Sequence, residues 1–162
     1  MAINYSPKVG ELLECEFGEF RDPPLKPKYD GLVSPEIRKC RMVVVLNGKL
    51  PNGCVVVIPI SSSGNPNAVQ RGYHVAIPTE LIEVTDFYDR RERWAITECI
   101  THVSKERLSV IKQKGAPVKK NQLPRDLVTK IQRAMIKTLN AGALLVPEPA
   151  AVPAIAKADE PV

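Results

Sequence analysis

Two polar side chains bracket a stretch that reads as a hairpin. Residues 39–63, KCRMVVVLNGKLPNGCVVVIPISSS, hold two apolar runs either side of Pro51-Asn52-Gly53. Arg41 opens the first run and Ser61 closes the second. In an antiparallel pair the start of one strand lies beside the end of the next, so Arg41 and Ser61 are expected as neighbours. A guanidinium is a fixed positive fork that matches phosphate oxygens, and a hydroxyl adds a neutral donor. Side by side, the two could hold a phosphodiester. Each has a second reading: Arg41 could pair with Glu36 or Glu14 and pin the preceding loop, and Ser61 could cap the Ser61-Ser62-Ser63-Gly64 turn. His74 and His102 are the textual candidates for acid–base work, although His74 reads more readily as a half-exposed pairing residue of a short strand and His102 as a residue near a polar bend. Tyr73 and Tyr29 could stack on bases or simply pack.

Charge points the same way as the arginine. The net charge is +5, and the segment 143–162 carries three acids against one lysine, which leaves +7 on the rest. Between residues 105 and 137 there are ten Lys/Arg and only two acids. Such a run suits a polyanion, whose counterions lysine and arginine replace, and it equally suits a solvated helix face. No apolar stretch approaches the roughly 18 residues of a membrane span, and MAINYSPKVGE has no signal-peptide core, so a cytoplasmic protein is expected. Cys15, Cys40, Cys54 and Cys99 show no Cys-x-x-Cys spacing. They are expected to be reduced, mostly buried thiols, with no metal site and no cofactor.

The elements that must position these groups are mostly strands. ELLECEF (11–17), RMVVVLN (41–47), CVVVIPIS (54–61), YHVAIP (73–78) and LSVI (108–111) read as strands, and RWAITECITHVS (93–104) as a bent one. Residues 18–39, with four prolines and two glycines, are a long loop of the kind that usually carries function. SGNPNAVQRG (63–72) reads as a turn-rich loop. A helix is predicted in 123–142, with Pro124 at its start, Asp126 in its first turn and Gly142 after its end. Leu127, Ile131, Ala134, Met135 and Leu139 form its apolar stripe. Residues 1–142 therefore predict a mainly β (α+β) domain, a small bent sheet or barrel with a helical cover, and 143–162 a disordered Pro/Ala/acidic tail.

GELLECEF, the long loop, KCRMVVVLN and VVVIPISSSGNPNAVQRGYHVAIP in this order resemble the PemK/MazF family of toxin endoribonucleases. In that family a Gly-Asp/Glu strand precedes a long loop and an Arg-Pro-Val-Val-type strand, followed by a strand ending Val-Pro-x-Thr. The likeness covers roughly residues 8–111, with the terminal helix in the expected place. Ser34-Pro35-Glu36-Ile37 and Trp94-Ala95-Ile96-Thr97-Glu98 match a branch with Pro-Glu-Met and Trp-Ala-Lys-x-Asp at those points. Met42 replaces the family proline, Ser61 the threonine and Ile96 the basic residue, while the acid is kept as Glu98.

The resemblance implies an SH3-like small β-barrel of the PemK/MazF/CcdB type with a C-terminal helix. It further implies a homodimer that cuts single-stranded RNA without metal, an antitoxin protein as partner, and DNA contact only through the antitoxin complex. Arg41 and Ser61 fall at the family's arginine and threonine positions, Glu98 is the candidate base provided that burial raises its pKa, and Lys39, Ser62, Arg71, Tyr73 and His74 are the candidate RNA contacts around them. Cleavage without metal makes the 2′-hydroxyl the nucleophile and passes through a phosphorane of increased negative charge. It needs a base, a proton donor for the leaving oxygen, and fixed donors on the phosphate. The other reading is a barrel that has lost cleavage and acts by nucleic-acid or protein contact, with Met42 and Ile96 as the features that favour it. A gyrase poison of the CcdB type fits less well, because the chain ends Asp-Glu-Pro-Val rather than Trp-Gly-Ile.

Overall fold

The hairpin forms, and the sheet is built around it. In the computed structural model, which describes residues 1–20, 31–119 and 121–145, strand β2 spans Cys40–Asn47 and β3 spans Cys54–Ser61. They pair antiparallel through Val43–Pro59, Val44–Ile58 and Val45–Val57, with a bulge between Val45 and Asn47. Strand β1 (Leu12–Glu16) lies on the far edge of β2, and β7 (Leu108–Val110) lies on the far edge of β1.

Strand β3 is where the sheet curls. Its first half pairs with β6 (Thr101–Ser104) and its end pairs with β5 (Arg93–Ile96), both on the edge opposite β2. One strand can serve two partners on one edge only because β5 and β6 are joined by a tight 3₁₀ turn, Thr97–Cys99. This is the bend expected within 93–104. Strand β4 (His74–Ile77) extends the sheet beyond β5. The outcome is a curled antiparallel half-barrel.

Alternation along the strands gives the sheet two apolar faces. Leu13, Cys15, Val43, Val45, Val55, Val57, Val103 and Leu108 gather on one. Leu12, Met42, Val44, Ile58, Ile60 and Ala95 gather on the other, where helix α2 (Arg125–Thr138) packs through Leu127, Val128 and Ile131. Burying each such side chain stabilises the domain by about 1.5–3 kcal/mol. The helix is tied in at its start, where Leu123 N–H donates to the Gly10 carbonyl, 2.9 Å. Gly10 itself has φ +87°, and a Cβ there would sit 2.8 Å from Val128 Cγ2 and 2.7 Å from Gln122 Nε2, so only glycine fits.

Three expectations need correction, and one small element was not foreseen. Residues 63–72 contain a short helix, α1 (Pro66–Arg71). Asn65 caps it by accepting from Asn67 N and Ala68 N, and Gly72 ends it at φ +76°. Asn-Pro before a short run closed by glycine is a helix signal as well as a turn signal. The basic stretch forms a minimal hairpin, β8 (Lys112–Gln113) and β9 (Ala116–Pro117). Leu139 is exposed beyond the helix end, and Val128 packs on the core cluster in its place. Of the four free thiols only Cys15 is buried; burial pushes it up to about 12, while Cys40 is exposed. Of the expected tail, Leu144 is exposed and residues 146–162 lie outside the described residues, as does Tyr29.

Candidate active site

Register and pleat put the two bracketing side chains at one end of the hairpin and on one face. The β2–β3 pairing ends at Val43–Pro59, two residues short of Arg41 and Ser61, which both stand at that end of the hairpin. Arg41 lies on the face of Val43, and Ser61 on the face of Pro59, so both belong to the face opposite α2. No hydrogen bond joins them. Arg41 is half-buried, and its Nε donates to the Arg38 carbonyl, 3.0 Å. The two carboxylates that could have neutralised it are otherwise engaged. Glu36 Oε2 accepts from Val33 N at 2.8 Å, and Glu14 Oε1 accepts from the Tyr88 hydroxyl at 3.0 Å. Among the described residues no carboxylate pairs with Arg41, so its charge stays available.

Ser61 Oγ accepts from Ser63 N, 3.0 Å, which is the turn-capping arrangement. That bond uses a lone pair and leaves the hydroxyl proton free to donate. On its other edge Ser61 pairs with Trp94.

Glu98 sits in the 3₁₀ turn between β5 and β6, its side chain 42% exposed. The turn is locked by Thr97, fully buried, whose Oγ1 lies 2.6 Å from the Tyr73 carbonyl and 2.7 Å from Thr138 Oγ1 at the end of α2. Nothing in the Thr97 position advertises this lock in the sequence; only the packing of α2 reveals it. Behind Glu98 stands His74, expected to be half-exposed but found with its side chain only 4% exposed. His74 Nε2 lies 3.3 Å from Glu98 Oε1, and Nδ1 is buried without a hydrogen-bond partner. Ile96, where the resemblance expects a basic residue, is directly opposite His74 across β4 and β5.

Glu98 also lines a cavity of about 430 Å³. Phe17, Leu32, Pro35 and Ile37 form one wall, and Glu98 and Thr101 belong to the other. Arg38, next in sequence to Ile37, offers the carbonyl that holds Arg41. Arg38 is held in turn by Glu19, 3.6 Å away, and lies 4.7 Å over the Phe20 ring.

The remaining candidates are more scattered. Lys39 is exposed with φ +67°, its backbone joined to Gly18 and Phe17. Ser62 is exposed beside Ser61, and Arg71 is exposed at the last turn of α1. Tyr73 is half-buried, and its carbonyl serves the Thr97 lock. His102 is exposed on β6, opposite Val56. Lys130, Arg133 and Lys137 are exposed on α2, across the sheet from Arg41, so part of the basic run belongs to a solvated helix. Among the described residues no cluster of His, Cys, Asp and Glu has the grouping of a metal site, and no helix is long and apolar enough to cross a membrane.

A sequence model of the PemK-like, MazF-like toxins of type II toxin–antitoxin systems matches residues 25–139. The chain belongs to that family. The match spans the hairpin, Glu98 and α2. An uncharacterized protein of Haemophilus influenzae is 50% identical over 141 residues, covering 87% of this chain and 95% of its own length. The putative uncharacterized protein YifN of Escherichia coli is 42% identical over 150 residues, covering 90% of this chain and 99% of its own. Among solved structures, a MazE–MazF crystal structure from Deinococcus radiodurans aligns with a TM-score of 0.49 at 15% identity, over 85% of this chain and 98% of that one. A mycobacterial endoribonuclease aligns with a TM-score of 0.45 at 12% identity, over 84% and 93%.

Proposed function

We propose that this PemK/MazF-family protein is the toxin of a type II toxin–antitoxin pair and an endoribonuclease that cleaves single-stranded RNA at a phosphodiester held between Arg41 and Ser61. The observation that carries this reading is a guanidinium without a carboxylate partner and a hydroxyl at the same end and on the same face of the β2–β3 hairpin. The guanidinium fork binds the non-bridging phosphate oxygens and opposes the charge that builds on them, while the Ser61 hydroxyl donates a further bond. Glu98 takes the 2′-hydroxyl proton, the 2′-oxygen attacks phosphorus, and the bond to the 5′-oxygen breaks as that oxygen takes a proton from solvent water. The products are a 2′,3′-cyclic phosphate and a 5′-hydroxyl. No metal or other cofactor enters the reaction. Residues 1–142 form the working domain, acting as a homodimer in the cytoplasm and held in check by an antitoxin protein; DNA is met only through that complex. Lys39, Ser62, Arg71 and Tyr73 contact RNA beyond the scissile phosphate.

The purified protein, given a single-stranded RNA in EDTA, should release fragments with those two termini. Arg41→Ala should abolish most of the release while remaining folded. An apolar residue at Ile96 favours a second reading, a module that binds RNA and leaves it intact; a gel shift of the same RNA without cleavage would establish that one instead.

A further inference from the structure

His74 is costly where it stands. Its side chain is almost fully buried, yet Nδ1 has no partner. Unsatisfied buried nitrogens are uncommon in native proteins, and each calls for a reason. The rest of the ring supplies one. A base must be an ionised carboxylate, which can only accept, so with Glu98 in that role Nε2–H is the donor in the 3.3 Å contact to Oε1. Glu98 Oε2 has no hydrogen-bond partner among the described residues, and Glu98 lines the cavity. On the pleat, His74 shares the face of Ile96 and Trp94, hence of Ser61. The turn beneath Glu98 is immobilised by the Thr97–Thr138 contact.

We infer that His74 is a positioning residue: its Nε2–H holds Oε1 of Glu98 so that the second oxygen is presented to the cavity in one orientation. The inference rests on the nuclease reading above and adds to it the group that orients the base. His74 itself, being buried, neither touches RNA nor exchanges a proton with it. A long exposed glutamate without such a support samples many rotamers, and misplacement of a base by about 1 Å costs on the order of a hundredfold in rate.

The test compares substitutions that differ in reach. A glutamine amide extends to the place of Nε2, whereas an asparagine amide reaches only that of Nδ1. With single-stranded RNA as substrate, His74→Leu and His74→Asn should lower kcat by roughly tenfold to a hundredfold with KM changed less than about twofold, and His74→Gln should recover most of the loss. Glu98→Gln should be slow, and adding His74→Leu to it should slow it no further, because the two act as a unit. Independently of activity, Glu98→Gln should move the ¹⁵N shifts of the His74 ring. Wild-type kcat in folded His74→Asn, equal loss in the glutamine and asparagine variants, additive losses in the double variant, or an unmoved His74 ring would each overturn the positioning role and leave the nuclease reading standing. Failure of the wild-type protein to cleave would overturn both.

Discussion

Arg41 and Arg93 both stand at the start of a strand, and the protein treats them in opposite ways. Arg93 is 7% exposed; its Nη2 donates to Asp89 Oδ1 at 3.1 Å and to the Asp89 carbonyl at 3.2 Å, and its guanidinium lies 5.5 Å over the Tyr88 ring. Burial lowers its pKa, with Asp89 pulling the other way. Arg41 is half-buried and holds one neutral carbonyl. A guanidinium shut away from water must be paired and stacked, and that one serves the fold. A guanidinium fixed by a carbonyl keeps its whole charge for an incoming anion.

The sharpest way to break this contrast is to remove each arginine in turn. Arg41→Ala should cost on the order of 3 kcal/mol of transition-state stabilisation, about a hundredfold in RNA cleavage, and leave the thermal midpoint nearly unchanged. Arg93→Ala should do the reverse, destabilising the domain by about 1–3 kcal/mol in urea unfolding while the folded fraction cleaves at the wild-type rate. Matching effects of the two would mean that burial does not separate their roles.

Ser61 sharpens the Arg41 side. Ser61→Ala should slow cleavage by less than Arg41→Ala, roughly tenfold, since a neutral donor is worth about half a charged one. Ser61→Thr keeps the hydroxyl and should be tolerated; a slow threonine variant would show that the site has no room for the added methyl group.

Tyr88 sharpens the Arg93 side through pH. Burial first, then the charge and hydrogen bond of Glu14, push its phenol above the usual tyrosine value. The folded state therefore favours the neutral phenol. That contribution is complete below the unfolded tyrosine pKa of about 10 and is lost as pH rises through the folded value. Tyr88→Phe should flatten the fall of stability above about pH 10, and an unaltered alkaline profile would assign that fall to other groups.

The smallest effect is expected at the end of the chain. Residues 143–162 hold four prolines and no aromatic residue, a composition that buries too little to offset chain entropy. Deleting 145–162 should leave the thermal midpoint of the 1–142 domain within a degree or so of wild type. A large drop would show that Leu145 and Val146 dock on the body.

Much of this could be read in the sequence, for identifiable reasons. The 54–61 strand was legible to the residue because a Pro-Asn-Gly turn and an apolar run leave little freedom of register. The same register puts Arg41 and Ser61 at one end of the hairpin. Helix α1 was missed because Asn-Pro serves turns and helix starts alike, and Leu139 was assigned to the core because periodicity continues past the point where packing ends.

Sequence alone thus determined the strands, the helix α2 and the hairpin end where a phosphate could be held, since these follow from local pattern and turn chemistry. Tertiary structure decided which arginine keeps its charge, that His74 is buried behind Glu98, and that Thr97 locks the turn to the end of α2. The last two outcomes depend on partners 24 and 41 residues away in the chain, and the first on which carboxylate the folded backbone turns toward each guanidinium. Burial and neutralisation belong to the assembled surroundings of a side chain, and no local pattern carries them.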